Sequence, residues 1–106
     1  MAPDEVEVYL VMSLKRSMKG CIPTSMRAIQ YKIDGSNIYI VCIADNELSE
    51  DEAEAISCAY TETATDFIHT HVVELETQVI PMPDPLTSIG SWYFKRYEKA
   101  SKSFDG

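Results

Sequence analysis

Two histidines, His69 and His71, have the spacing that comes nearest to a metal site in this chain. On a β-strand the side chains of residues i and i+2 share a face, so both rings could reach one ion, with Asp66 or Glu74 as a third ligand. A complete ligand motif such as HExxH is missing from the sequence. A small metal-binding or hydrolytic enzyme that uses His69 and His71 is therefore the alternative interpretation, and we predict no metal and no other cofactor.

Three cysteines, Cys21, Cys42 and Cys58, supply the thiols that could act as nucleophiles beside a histidine base. The sequence contains no nucleophile-elbow motif and no glycine-rich phosphate-binding motif. It also lacks a CxxC pair, and each cysteine has apolar or small neighbours, which favours buried thiols in a reducing compartment. We therefore predict that the protein is not an enzyme.

Carboxylates are the most concentrated chemical groups of the chain. Between Ile33 and Phe94 the sequence has twelve Asp and Glu residues and no Lys or Arg, and the formal net charge of the whole chain is −8. Such a field attracts cationic partners over roughly a Debye length. Nucleic acids and anionic membranes require the opposite sign, so we predict that neither is a direct partner. The predicted binding face for a basic protein partner consists of five carboxylates: Asp51, Glu54, Glu62, Glu74 and Glu76.

Residues 5–19 show two competing patterns. The segment begins with a strand-like alternation of apolar and polar residues. Apolar residues also recur at every fourth position, as on one side of a helix: Val6, Leu10, Leu14 and Met18. Basic residues near the end of the segment and Gly20 as a stop signal favour the helix, which we predict here.

The second helical segment, residues 49–67, has the clearer start signal. Ser49 and Glu52 form the sequence pattern of a capping box, and acidic residues fill the first turn. The predicted buried stripe consists of Ile56, Tyr60, Thr63 and Phe67. By steps of 100° per residue, the opposite side of the helix carries Asp51, Glu54 and Glu62.

Apolar patterns predict four strands, at residues 26–33, 38–44, 71–80 and 91–98. A turn containing Gly35 joins the first two strands into a hairpin. In the third strand, Glu74 and Glu76 are expected to point outward, and the inward set is Val73, Leu75, Thr77 and Val79. In the fourth strand, Trp92 and Phe94 are expected to share one face.

The order α-β-β-α-β-β indicates an α+β fold, with a mainly antiparallel four-stranded sheet and two helices on one face. The chain of 106 residues has the length of one domain, which we place at residues 1–100, followed by a frayed tail at 101–106. The acidic start is unlike a signal peptide, and the longest apolar run is far below the ~20 residues that span a bilayer. We therefore expect a cytoplasmic protein. A self-associating regulatory subunit is a further alternative.

Four local motifs occur in order along most of the chain: Pro23-x-x-x-Arg27-Ala28-Ile29, Leu48-Ser49-Glu50-Asp51, Thr61-Glu62 with Asp66-Phe67, and Phe94-x-Arg96-x-Glu98. Together with the order of the elements, these motifs resemble small bacterial immunity proteins encoded beside toxins of contact-dependent growth-inhibition or other polymorphic toxin systems. The resemblance implies a cytoplasmic protein that binds and neutralises a cognate toxin domain, often a nuclease. It implies no particular binding residues, because such proteins diverge at the contact face.

Overall fold

Six elements follow one another in the order predicted from the sequence. The computed structural model describes residues 3–82, 84–86 and 90–96 of the chain. The elements are α1 (Pro3–Ser17), β1 (Met26–Asp34), β2 (Asn37–Ala44), α2 (Glu50–Asp66), β3 (Val72–Val79) and β4 (Ser91–Lys95). The predicted α+β class is confirmed, and the tail expected at residues 101–106 lies outside the described residues.

The four strands form one sheet in the spatial order β3-β2-β1-β4. β1 lies antiparallel to both β2 and β4, whereas β2 and β3 are parallel. Parallel neighbours need a long crossover connection, and α2 supplies it between β2 and β3. The sheet is therefore mainly antiparallel, as predicted, but it carries one parallel pair at the β3 edge.

Both helices pack on the same face of the sheet. α1 and the residue that follows it bury the predicted helical stripe, Val6, Leu10, Leu14 and Met18, each 5% exposed or less. α2 contributes Ile56 and Ala59 to the same core cluster, and its C-cap residue Phe67 joins them. The facing strands contribute Ile29, Tyr31, Ile38, Ile40 and Cys42. Burying one large aliphatic side chain contributes roughly 1.5–3 kcal/mol, so this single core is the main stabilising layer.

Local signals place the start of α2 and the turn between β1 and β2 where the sequence predicts them. The Glu52 N–H donates to Ser49 Oγ at 3.1 Å, and the Ser49 N–H donates to Glu52 Oε1 at 2.9 Å, which completes the capping box. In the turn between β1 and β2, Gly35 adopts a φ of +61°, which a residue without a Cβ reaches at little cost.

The sheet face that points away from the helices, called the second face below, is partly buried. Its central side chains, Ala28, Gln30, Val41 and Ile43, are all 4% exposed or less. The connection that leaves β3 is held beside this end of the sheet by Arg27, whose Nη1 donates to the carbonyls of Ile80 (2.8 Å) and Asp84 (2.9 Å). Arg27 itself is 3% exposed, so this part of the family-like motif has a structural role.

The expectation that Trp92 and Phe94 share a face is wrong. The register between β1 and β4 shifts between Ile29 and Gln30, so Phe94 lies opposite Ile29 and Trp92 lies opposite Gln30. One extra residue in a strand reverses the alternation of its side chains. Phe94 therefore packs against the helix-side core, whereas Trp92 lies on the second face with the Lys95 Nζ 5.0 Å from its ring centroid.

Candidate partner-binding site

Three of the five predicted contact carboxylates lie on the outer side of α2. Asp51, Glu54 and Glu62 are all exposed, opposite the stripe that α2 buries against the core. They extend over roughly 16 Å along the helix axis at 1.5 Å per residue. Because the buried side of α2 packs against the core, this row of charges on the opposite side of the helix points to solvent.

The other two carboxylates, Glu74 and Glu76, lie on the second face of the sheet. β3 pairs with β2 in an unbroken parallel register that places Glu74 beside Tyr39 and Glu76 beside Val41. Their neighbours Val73 and Leu75 pack on the helix side, so the inward and outward positions predicted for this part of the strand are correct. Thr77 and Val79, predicted to point inward as well, are exposed.

The structure therefore divides the predicted binding face into two surfaces. We call Asp51, Glu54 and Glu62 the helix row, and Glu74 and Glu76 the strand pair. The helix row faces away from the sheet on one side of the molecule, and the strand pair faces away from the helices on the other. A flat partner surface cannot contact both sets at once, although both contribute to the same long-range field.

A groove accompanies the strand pair. It has a volume of about 480 Å³ and is lined on the second face by Lys32, Tyr39, Val41, Glu74 and Glu76. The half-buried Tyr39 ring offers an apolar wall beside two carboxylates, which is an arrangement suited to the stem and charged end of a Lys or Arg side chain. Lys32 and Tyr39 are not among the site residues predicted from the sequence, although a strict period of two through β2 places Tyr39 on the outer face.

A second exposed patch lies on α1. Val8, Tyr9 and Met12 are 58%, 41% and 64% exposed, and they line a cavity of about 430 Å³ with Asp4 and Glu5. The Tyr9 ring meets Phe67 edge to face at 5.1 Å between centroids. These residues fall between the buried positions of the helical stripe, so their exposure follows once the segment is helical.

Two carboxylates of the acidic segment are engaged within the protein and do not add to either surface. Asp45 accepts a hydrogen bond from Arg96 Nη2 at 3.0 Å. Asp66 accepts from the Ser13 hydroxyl at 2.6 Å and forms an ion pair with Arg16. The Ser13 hydrogen bond, followed by the Arg16 charge, outweighs partial burial and lowers the pKa of Asp66.

The two histidines do not lie on a strand, so the shared strand face that the alternative metal site requires is not formed. β3 begins at Val72, after His69 and His71. The His71 Nδ1 lies 2.9 Å from Thr70 Oγ1, and its ring packs edge to face on Phe67 at 5.3 Å. Within residues 3–82, 84–86 and 90–96, no group of three or more His, Cys, Asp or Glu side chains is placed to hold a metal ion.

The cysteines differ in their surroundings. Cys42 is buried in β2, and loss of solvation raises the pKa of its thiol to about 12. Cys21 is half-buried and Cys58 is exposed, so the expectation of a buried thiol is wrong for Cys58. Cys58 lies one helical turn from both Glu54 and Glu62, on the outer side of α2 that carries the helix row.

Fold and site together define a small acidic protein with helices on one face of a sheet and a carboxylate-lined groove on the other. The chain belongs to the MafI2 immunity protein family, because the model of that family matches residues 7–98. The matched span includes most of α1 and all five later elements. The resemblance to small immunity proteins is thereby confirmed. None of the curated proteins matches the chain. Neither described helix is long and apolar enough to cross a membrane.

Proposed function

We propose that this immunity protein binds its cognate toxin domain in the cytoplasm and neutralises it as a stoichiometric inhibitor, with no chemistry of its own. The toxin belongs to a contact-dependent growth-inhibition or related polymorphic toxin system, and its gene neighbours that of the inhibitor. Membership of an immunity protein family supports the role. The acidic segment without Lys or Arg supports a basic partner.

The charge of the chain favours rapid capture of a basic domain. A field of one sign speeds the encounter of oppositely charged proteins by about 10–1,000-fold at low salt. Both the helix row and the strand pair contribute to this field, because neither is neutralised by an ion pair among the described residues. If the toxin is a nuclease, the carboxylates take the place of the phosphates that its basic groove binds.

Affinity requires groups that lose water on contact, and the groove beside the strand pair is the surface that carries the proposal. A few anchors provide most of the binding energy in protein interfaces, and they favour pockets with an aromatic or Arg component. Tyr39, Glu74 and Glu76 line such a pocket, whereas the three carboxylates of the helix row are exposed on the outer side of α2. We therefore assign the direct contact to the strand pair and the long-range attraction to both sets.

The test is to mix the purified chain with the purified toxin domain encoded by the adjacent gene. Light scattering after size-exclusion chromatography should show a complex of one chain with one toxin domain, and toxin activity should reach zero at equimolar inhibitor. The association rate should fall steeply as the salt concentration rises. Absence of a complex, or loss of toxin activity at far less than equimolar inhibitor, would overturn stoichiometric inhibition. Elemental analysis of the same protein tests the alternative metal site, which predicts stoichiometric zinc.

A further inference from the structure

The outer edge of β3 presents main-chain groups that the sheet does not use. The Val72 N–H donates to the Ser36 carbonyl at 2.8 Å, and the Ile80 N–H donates to the Ala44 carbonyl at 2.9 Å, so the even-numbered residues at both ends of β3 bond toward β2. The register between them is unbroken. In a parallel ladder, alternate residues direct both main-chain groups toward the same neighbour. The odd-numbered residues therefore direct theirs away from the sheet: Val73, Leu75, Thr77 and Val79.

One of these outward groups has a partner within the protein. The Tyr60 hydroxyl of α2 donates to the Val73 carbonyl at 2.8 Å, which confirms that this carbonyl points toward the edge. Among the described residues, no other group bonds to the outward row, so the stretch from Leu75 to Val79 is open along its length.

The opposite edge of the sheet, formed by β4, is less suited to pairing with a strand from another chain. β4 has five residues, its register with β1 is interrupted, and Lys95 lies at its end. β3 has eight residues and a regular register. Long, regular and uncovered edges are the ones that accept a further strand from another chain.

The side chains beside this edge specify the chemistry of the strand that it accepts. Glu74 and Glu76 project from β3 on the second face, next to the groove at Tyr39. Two copies of this chain paired edge to edge would place these carboxylates on one face of adjacent strands, and like charges across strands are destabilising. A strand with Lys or Arg at alternate positions would instead pair with them. On the helix side the exposed Val79 favours an apolar residue opposite it on the incoming strand.

We propose that the β3 edge from Leu75 to Val79 receives an extended basic segment of the toxin as a fifth strand. This assignment rests on the proposed function and states how the toxin is held. Main-chain hydrogen bonds to Leu75, Thr77 and Val79 provide affinity. The groove at Tyr39, with Glu74 and Glu76, selects a cationic side chain on the same strand.

Amide hydrogen exchange followed by NMR tests the assignment with the toxin domain encoded by the adjacent gene. In the free protein the amides of Leu75, Thr77 and Val79 should exchange quickly, because they point outward, and those of Glu76 and Gln78 slowly. On addition of the toxin domain the three outward amides should become protected. Alkylation of Cys58 reports on the helix row in the same complex, and its rate should change little.

A pair of substitutions at one position supplies a second measurement. Thr77→Pro removes an outward N–H and leaves the bonds to β2, so the fold should persist while toxin affinity falls by about tenfold or more, equivalent to at least one main-chain hydrogen bond. Thr77→Ala is the matched control, and its affinity should stay within about twofold of the parent, since it keeps the N–H. Thermal unfolding of both variants checks the fold.

The possible outcomes separate the strand assignment from the proposed function. A one-to-one complex in which the three outward amides stay unprotected overturns the strand assignment and leaves the inhibitor role standing. Failure to form any complex overturns both. If the three outward amides become protected in the chain alone as its concentration rises, a second copy of the chain occupies the edge. That result also overturns the assignment.

Discussion

The Tyr60 hydroxyl donates a hydrogen bond of 2.8 Å to the main-chain carbonyl of Val73, and through it α2 is tied to the edge strand of the sheet. Tyr60 lies in the helix that connects the two parallel strands, and Val73 lies at the start of the second of them. The bond therefore joins the crossover helix to β3 next to the start of the open edge.

Replacing Tyr60 with Phe should separate the structural role of this bond from binding. The ring remains packed, but the Val73 carbonyl loses its donor, so the free energy of unfolding should fall by about 1 kcal/mol in urea denaturation. Affinity for the toxin domain should not fall, because the freed carbonyl lengthens the open edge by one residue. A marked loss of affinity in a folded variant would contradict the proposed edge.

Charge reversal distinguishes the strand pair from the helix row. The double variants Glu74→Lys with Glu76→Lys, and Glu54→Lys with Glu62→Lys, change the net charge by the same amount, so they weaken the overall field similarly. Surface plasmon resonance should show an association rate constant about threefold to tenfold lower for both variants. The rate constant should also depend less on the salt concentration.

Only the strand variant should also dissociate faster. Its Kd should rise by about 100-fold, the effect of losing two anchoring contacts. An equal rise in Kd for the helix variant would assign direct contact to the helix row instead. Unchanged kinetics for that variant would remove the outer side of α2 from both roles.

Asp66 should make stability depend on pH at the acid end. Hydrogen bonding from Ser13 and the charge of Arg16 lower the pKa of Asp66 from its usual value of 3.8. Between the lowered value and the usual one the unfolded chain binds more protons, so the free energy of unfolding falls as the pH drops through this window. The contribution is present in full at neutral pH.

Denaturation of Asp66→Asn as a function of pH tests this linkage. The variant should be less stable than the parent at pH 7, and the difference should shrink as the pH falls below about 4. Glu62→Gln, which neutralises an exposed carboxylate of the same helix, is the control and should leave the acid dependence unchanged. If the free energy of unfolding depends on pH in the same way for the parent and Asp66→Asn, the stabilising role of the Asp66 carboxylate is refuted.

Gly90 should tolerate no side chain, because the main chain of β1 lies against it. A Cβ at Gly90 would lie 2.3 Å from the Tyr31 carbonyl oxygen and 3.2 Å from Lys32 Cβ. Gly90→Ala should therefore force β4 away from β1 and lower the free energy of unfolding by about 2 kcal/mol. Gly20→Ala is the comparison, since its φ of +75° is unfavourable but its surroundings are open, and it should cost about 1 kcal/mol. A smaller loss of unfolding free energy at Gly90 than at Gly20 would show that the main chain at Gly90 can move away from β1 at little cost.

Local patterns in the sequence are enough to predict the six elements and the sign of the charge. Repetition at every fourth residue from Val6 to Met18 predicts α1, and the pattern at Ser49 and Glu52 predicts the start of α2. These signals are local, because helix caps and side-chain periods depend on residues within one or two turns. The concentration of carboxylates likewise needs no structure to be recognised.

The side that each carboxylate faces and the edge that is open depend on how distant segments pack together. Glu62 and Glu74 are close in sequence, yet one points away from the sheet and the other away from the helices, because α2 crosses between parallel strands. The shift in register between Ile29 and Gln30 places Trp92 and Phe94 on different faces of the sheet. Strand partners and registers arise from pairing between distant segments, and no local pattern specifies such pairing.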